Sequence, residues 1–235
     1  MITHDLSGYL PKIEHYLIVD LETTDKLPGS AQILTGFFIL VDKNLKVIDT
    51  YDLKAAPRLW DKAAQDSTLI HGITYDVAKT FPSHSVAMKN LSHWLLKLPT
   101  CHFVAHANRT IFGRFSTFDY AVLNFNLFDY GYQFIFYNRC PVKSIISTHS
   151  LAKYLSLGCN LDLKSLSDYF KLPAFSHHDA EADAKKCLEI FKRLMSTGVD
   201  VEAFLNQENY NIGVENDGEK KKRNTRPLKS QGLRL

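Results

Sequence analysis

A chain of 235 residues with 45% apolar and 23% charged residues can bury the core of one domain, and its net charge of +3 marks neither a strongly basic nor a strongly acidic body. No apolar run approaches the roughly 18 residues of a membrane helix, and "MITHDLSGYLPKIEHYLIVD" lacks the basic, apolar and small-residue succession of a secretory leader, so no membrane and a cytoplasmic setting are expected, or a nuclear one in a eukaryote. The four cysteines (Cys101, Cys140, Cys159, Cys187) are scattered without a C-x-x-C, which excludes a disulfide framework and a zinc knuckle.

Residues 1–13 read as a lead-in to a domain over 14–200. The β-prone run "HYLIVDL" (15–21) predicts a central strand, "ILTGFFILV" (33–41) a second and "LKVIDTYDL" (45–53) a third, with "DKN" (42–44) turning between the last two. Ala87, Leu91, Trp94 and Leu98 form one helical stripe, ended by Pro99. "HFVAH" (102–106) resumes as a short strand, and helices are expected over 118–127, 149–156, 161–170 and 179–196. Three early strands followed by helices interleaved with at least one more strand make an α/β domain with a mixed sheet. Tyr130, Tyr132, Phe134, Phe136 and Tyr137 alternate with other residues; a core or dimer patch is the commoner fate of such a run, and stacking on single-stranded bases the alternative.

Residues 201–235 read as a linker and a basic tail. From Lys220 to Arg234 the tail carries seven Lys/Arg and no acid, which leaves 21 basic against 25 acidic residues in the rest. Such a terminus is either a solvated extension or a tether that holds nucleic acid through its phosphates.

Two acids end the first strand. Asp20 and Glu22 are separated by two positions, so their side chains share one face, and buried carboxylates are costly unless paired or bound to a cation. Asp119 lies near the start of a helix, in "FDYAVL". Asp183 lies in "HHDAEADAKKCLEI" beside Ala180, Ala182 and Ala184, a small-residue face that can approach a neighbour closely. Asp179 and Glu181 suit a solvated first helical turn. A zinc reading of His177 and His178 lacks further His or Cys at ligand spacing.

"VDLETT", "IHGIT" (70–74), "FDYAVL" and "HHDAEADA" occur in the order and approximate spacing of the DEDDh 3′–5′ exonucleases, the DnaQ-like nucleases, and the chain resembles them over residues 14–196. "GSAQILTGFFILVD" is also similar to part of bacterial exonuclease I. The resemblance implies an RNase H-like exonuclease fold, a mixed five-stranded sheet flanked by helices. It also implies that Asp20, Glu22, Asp119 and Asp183 bind two divalent cations, Mg²⁺ or Mn²⁺, for which oxygen ligands are suited. His178 matches the histidine of His-x-x-x-x-Asp and would accept a proton from water; His177 lacks that spacing.

By the same resemblance Thr23 and Thr24 are expected near the terminal nucleotide, with His71 and Ile73 beside the last bases. His106 and Asn108 stand for a His-Asn-like pair that relatives carry about five residues before the second-motif acid. Here His106 precedes Asp119 by thirteen residues, an insertion of "RTIFGRFS" (109–116) that reads as a solvated surface loop or, alternatively, as one whose Arg109 and Arg114 meet substrate phosphate. Asp25 replaces the glycine that usually follows the first motif. The expected activity is release of nucleoside 5′-monophosphates from single-stranded or frayed 3′ ends of DNA or RNA, with DNA favoured. The alternative is a catalytically weak nucleic-acid-binding or polymerase/helicase-associated module of the same fold.

Overall fold

The computed structural model describes residues 13–106, 117–174 and 178–207. Asn108, Arg109 and Arg114, the rest of the 109–116 insertion, His177 and the basic tail lie outside the described residues. No helix among the described residues is long and apolar enough to cross a membrane.

Five strands form one sheet in the order β3-β2-β1-β4-β5: β1 (Tyr16–Thr23), β2 (Ile33–Val41), β3 (Val47–Lys54), β4 (His102–Ala105) and β5 (Ile145–Ser147). The first three are antiparallel, whereas β1/β4 and β4/β5 are parallel. Between β2 and β3 the Asp42 carboxylate accepts from the amides of Asn44 and Lys46, and Leu45 takes a left-handed φ of 61°, so "DKN" turns the hairpin as expected.

Helices cover both faces. The set comprises α1 (Lys62–His71), α2 (Tyr75–Ala78), α3 (His84–Leu95), α4 (Phe118–Phe128), α5 (Gln133–Arg139), α6 (Thr148–Tyr154), α7 (Leu163–Tyr169) and α8 (Ala180–Met195). Leu17, Val19 and Leu21 of β1 face a core shared with α3, α4 and α5, while Tyr16 and Ile18 face a second core shared with α6, α7 and α8. Burial on both faces explains why β1 and β2 read as continuous apolar runs rather than alternating ones. Gly36 of β2 is required by this packing: a Cβ there would lie 2.6 Å from Leu21 Cδ2.

Two sequence expectations are adjusted and one, for the aromatic run, is met. The Ala87 stripe is helical only to Leu95; Leu98 is buried beyond the helix end, in tight turns where Lys97 and Leu98 donate to the carbonyls of Trp94 and Leu95. Apart from Phe134, the alternating aromatics join the core, the commoner of their two expected fates. They straddle a turn and α5, with Phe136 fully buried, Phe134 largely exposed, and Tyr130, Tyr132 and Tyr137 packed against the core. Packing also continues past residue 200, because 201–207 is helical and its Phe204 and Leu205 enter the second core.

Asn126, buried on α4, fixes this helix to the sheet. Its Oδ1 accepts from the Ile33 amide (3.2 Å), and its Nδ2 donates to the carbonyls of Ala31 (2.9 Å) and Val122 (2.8 Å). Asn126→Ala leaves the Ile33 and Ala31 groups buried without partners, at about 2–4 kcal/mol for the two. A fall of roughly 4–16 °C in thermal midpoint is expected by calorimetry; an unchanged midpoint would show that water replaces the clamp.

Candidate active site

The strand order creates a crevice. From β1 the chain leaves towards β2, and from β4 towards β5, so the carboxyl ends of the adjacent parallel strands β1 and β4 open between diverging connections. Open α/β sheets bind ligands at such a switch point. A cavity of about 520 Å³ lies there, lined by Asp20, Leu21, Glu22, His106, Phe118, Asp119, Asp162, Leu163, Lys164, His178 and Asp183.

Each acid arrives by a different local device. Asp20 and Glu22 pair in register with Phe37 and Thr35 on β2, and they continue the β1 face that Tyr16 and Ile18 turn towards α8. Asp183 sits in the first turn of α8, whose Ala180, Ala184 and Cys187 are buried against the sheet, so the small side chains bring this acid close to β1. Asp119 sits in the first turn of α4, behind the buried cap Thr117, whose hydroxyl accepts from the Tyr120 amide. Both helical acids thus lie at positive helix ends, which favour their charged forms.

Burial and mutual repulsion outweigh that help. Among the described residues no lysine or arginine forms an ion pair with Asp20, Glu22 or Asp119. Burial first, then the charges of Asp119, Asp183, Glu22 and Asp179, holds Asp20 well above the usual carboxylate range. Glu22 is pushed up to about 8 by burial, then by Asp183, Asp119 and Asp179. Burial raises Asp119 to about 7, with the backbone at Asp119 itself and at Leu21 pulling the other way. A concentration of negative charge in low dielectric is stabilised by a cation, and carboxylate oxygens suit hard divalent ions.

His178 completes the cluster through its backbone. It adopts a left-handed φ of 63°, and its amide donates to Asp183 Oδ2 at 2.9 Å. One side-chain donor atom each of Glu22, His178 and Asp183 then lie within 4.8 Å of one another. The imidazole is exposed while both carboxylates are buried. A non-glycine residue held at positive φ at such a place is strain of the kind found at functional sites.

The other expected residues surround this centre unequally. His106 lines the cavity, and its Nδ1 lies 2.8 Å from the Thr148 hydroxyl. Thr23 and Thr24 follow Glu22, but their hydroxyls are engaged: Thr23 donates to the Asp25 carbonyl, and Thr24 accepts from the Gln32 amide. The Asp25 carboxylate in turn accepts from the Leu27 amide and the Ser30 hydroxyl, so the residue in the glycine's place organises the 25–30 turn. His71 ends α1 with Nδ1 accepting from the Ile73 amide. Burial lowers its pKa, the Thr23 backbone opposes that, and nearby His178 adds to it. His71 and Ile73 therefore stand at the Thr23 side of the site without lining the cavity. Asp162, Leu163 and Lys164 line it without having been singled out in the sequence; the only signal there was the capping pattern Asp162-x-x-Ser165.

Residues 17–191 match the family profile described as "Exonuclease" (RNase T). No curated protein matches the chain by sequence. Among solved structures, the fold is similar to the zinc-bound complex of E. coli exonuclease I with single-stranded DNA (TM-score 0.61, 18% identity, 78% of this chain and 42% of that one). It is similar also to E. coli exonuclease I with a dA16 oligonucleotide (TM-score 0.60, 20% identity, 78% and 41%), and to a product-bound exonuclease I (TM-score 0.60, 17% identity, 83% and 46%). The chain spans less than half the length of these proteins. A profile match over most of the chain and the mixed five-stranded sheet with flanking helices agree, and the chain belongs to the exonuclease family, the DEDDh or DnaQ-like 3′–5′ exonucleases, with an exonuclease I-like, RNase H-like fold.

Proposed function

We propose that the protein is a two-metal-dependent 3′–5′ exonuclease that releases nucleoside 5′-monophosphates from single-stranded or frayed 3′ ends, DNA ahead of RNA. One observation carries the reading: Asp20, Glu22, Asp119, Asp183 and His178 line a single cavity, although they come from one strand, two helices and a turn. The DNA preference is supported by the single-stranded DNA bound in the similar exonuclease I structures.

The four carboxylates fit a pair of Mg²⁺ or Mn²⁺ ions, since they are crowded oxygen donors, three of them (Asp20, Glu22 and Asp119) raised in pKa. When bound, two such ions neutralise the phosphodiester's charge and favour ionisation of water. Asp20, Glu22, Asp119 and Asp183 would hold the ions. His178 accepts the proton of the attacking water at a ring nitrogen and, being exposed, returns it to solvent. The hydrogen bond that its backbone amide donates to Asp183 orients that carboxylate and so couples the base to the ion site. Phe118 presents an apolar wall to the cavity, suited to sugar and base rather than phosphate. The basic tail from Lys220 would raise the local concentration of strand through its phosphates.

Incubation of a single-stranded oligonucleotide with Mg²⁺ or Mn²⁺, followed by chromatography of the products, tests the proposal. Nucleoside 5′-monophosphates are expected, vanishing with EDTA and returning with added metal. Hydrolysis that survives the chelator, or products carrying 3′-phosphates, would overturn it.

A further inference from the structure

We propose that Lys164 binds a phosphate of the substrate strand and is the side chain that draws this polyanion into a cleft walled by acids; the inference rests on the exonuclease reading. Five carboxylates line the cavity, Asp162 among them, and Lys164 is the one lysine or arginine lining it among the described residues. An anionic strand entering such a cleft needs positive charge on the wall as well as at its floor.

The ammonium group is kept available. Lys62, Lys79, Lys185 and Lys192 each pair with a carboxylate three or four residues away, whereas Lys164 forms no ion pair among the described residues and its side chain is exposed. The nearest acid in sequence is Asp162, and it is occupied. Its Oδ1 accepts from the Ser165 amide at 2.8 Å and its Oδ2 from the Ser165 hydroxyl at 2.7 Å. Asp162 thereby caps α7, and no ion pair joins it to Lys164 among the described residues.

Position argues the same way. Lys164 stands in the first turn of α7, where the helix dipole disfavours a cation. A residue that breaks a local preference without a compensating contact marks a functional constraint. Through Leu166, α7 enters the core that it shares with α8, the helix that carries Asp183, so the lysine is held at a fixed place relative to the acids. Because an ammonium is a point charge without bidentate geometry, it reads phosphate and not base.

The test uses the full chain and the variants Lys164→Ala, Lys164→Arg and Lys164→Glu. Steady-state hydrolysis of a single-stranded oligonucleotide is followed across a salt series, beside anisotropy of a labelled oligonucleotide with a 3′ phosphorothioate linkage. For Lys164→Ala, KM should rise about fivefold to tenfold with kcat within twofold. The slope of log affinity against log salt should become shallower by about 0.7. Lys164→Arg should restore both, Lys164→Glu should be weaker than Lys164→Ala, and thermal midpoints should be unchanged. An unaltered salt slope in Lys164→Ala, or no recovery with arginine, overturns the assignment. The binding slope decides the phosphate contact and metal-dependent hydrolysis decides the exonuclease reading, so each can fail alone.

Discussion

Glu22→Gln, which exchanges a carboxylate for a carboxamide of nearly the same shape, is expected to lower hydrolysis at least about 10³-fold, or ~4 kcal/mol of transition-state stabilisation, and to raise the thermal midpoint of the metal-free protein. The two effects have one cause. Glu22 lies buried with Asp183, Asp119 and Asp179 all raising its pKa, so the fold carries a concentration of negative charge that only a bound cation turns to use. A neutral side chain removes part of that repulsion and relieves Asp20, whose pKa Glu22 itself helps to raise. Exchange of a functional residue for stability is the expected form of such a trade. Paired activity and calorimetry at pH 8 check the prediction. An inactive variant with a lower midpoint would show that Glu22 holds the fold together, and undiminished activity would remove it from the catalytic centre.

The second large effect links pH to metal. Burial and the neighbouring carboxylates push Glu22 up to about 8, and burial pushes Asp119 up to about 7, from ordinary values of 4.5 and 3.8. The folded state therefore holds more protons than the unfolded one between those limits, and stability of the metal-free protein falls as pH rises, by up to about 1.4 kcal/mol per pH unit for each proton retained. His84 and His102, buried and lowered to about 4, act oppositely, since the unfolded chain protonates them first. Their contribution is still growing at pH 6.5, where histidines of the unfolded chain are half protonated, so the window that belongs to the acids alone begins about one pH unit higher and runs to about pH 8. A thermal midpoint that declines across that window without metal, and a larger gain on adding Mg²⁺ or Mn²⁺ at pH 8 than at pH 6.5, are the expected outcomes. Equal gains at both values would mean that protons and cations do not compete for these carboxylates.

Much of this centre was readable from local rules. Period-two geometry put Asp20 and Glu22 on one face of a strand, and the register with Phe37 and Thr35 keeps them there. The alanine face beside Asp183 announced a close approach, which α8 makes against the sheet. Other features depend on tertiary placement and left little trace. The seven-residue α7 is too short to show a convincing period, so nothing in "LDLKSLSDYF" placed Lys164 at the acids. The aromatic run of Tyr130, Tyr132, Phe134 and Phe136 carried no decisive period, and burial of Phe136 beside Tyr120 and Phe103 selects a helix. The left-handed backbone of His178 accompanies the hydrogen bond from its amide to Asp183, five residues on, a side-chain contact that residue propensity does not encode. Asn126 illustrates the same limit, because its two partners outside α4 lie more than 90 residues away in sequence.

The most direct test is the polarity of digestion. A 5′-labelled single-stranded DNA is incubated with Mg²⁺ or Mn²⁺ and the purified protein, beside Asp20→Ala, and resolved at single-nucleotide spacing. A ladder shortening stepwise from the 3′ end, absent with Asp20→Ala, is the predicted result. Immediate release of the label as a mononucleotide, a ladder that Asp20→Ala also produces, or an intact strand with the folded wild-type protein would contradict the assignment of these acids as the centre of a 3′–5′ exonuclease.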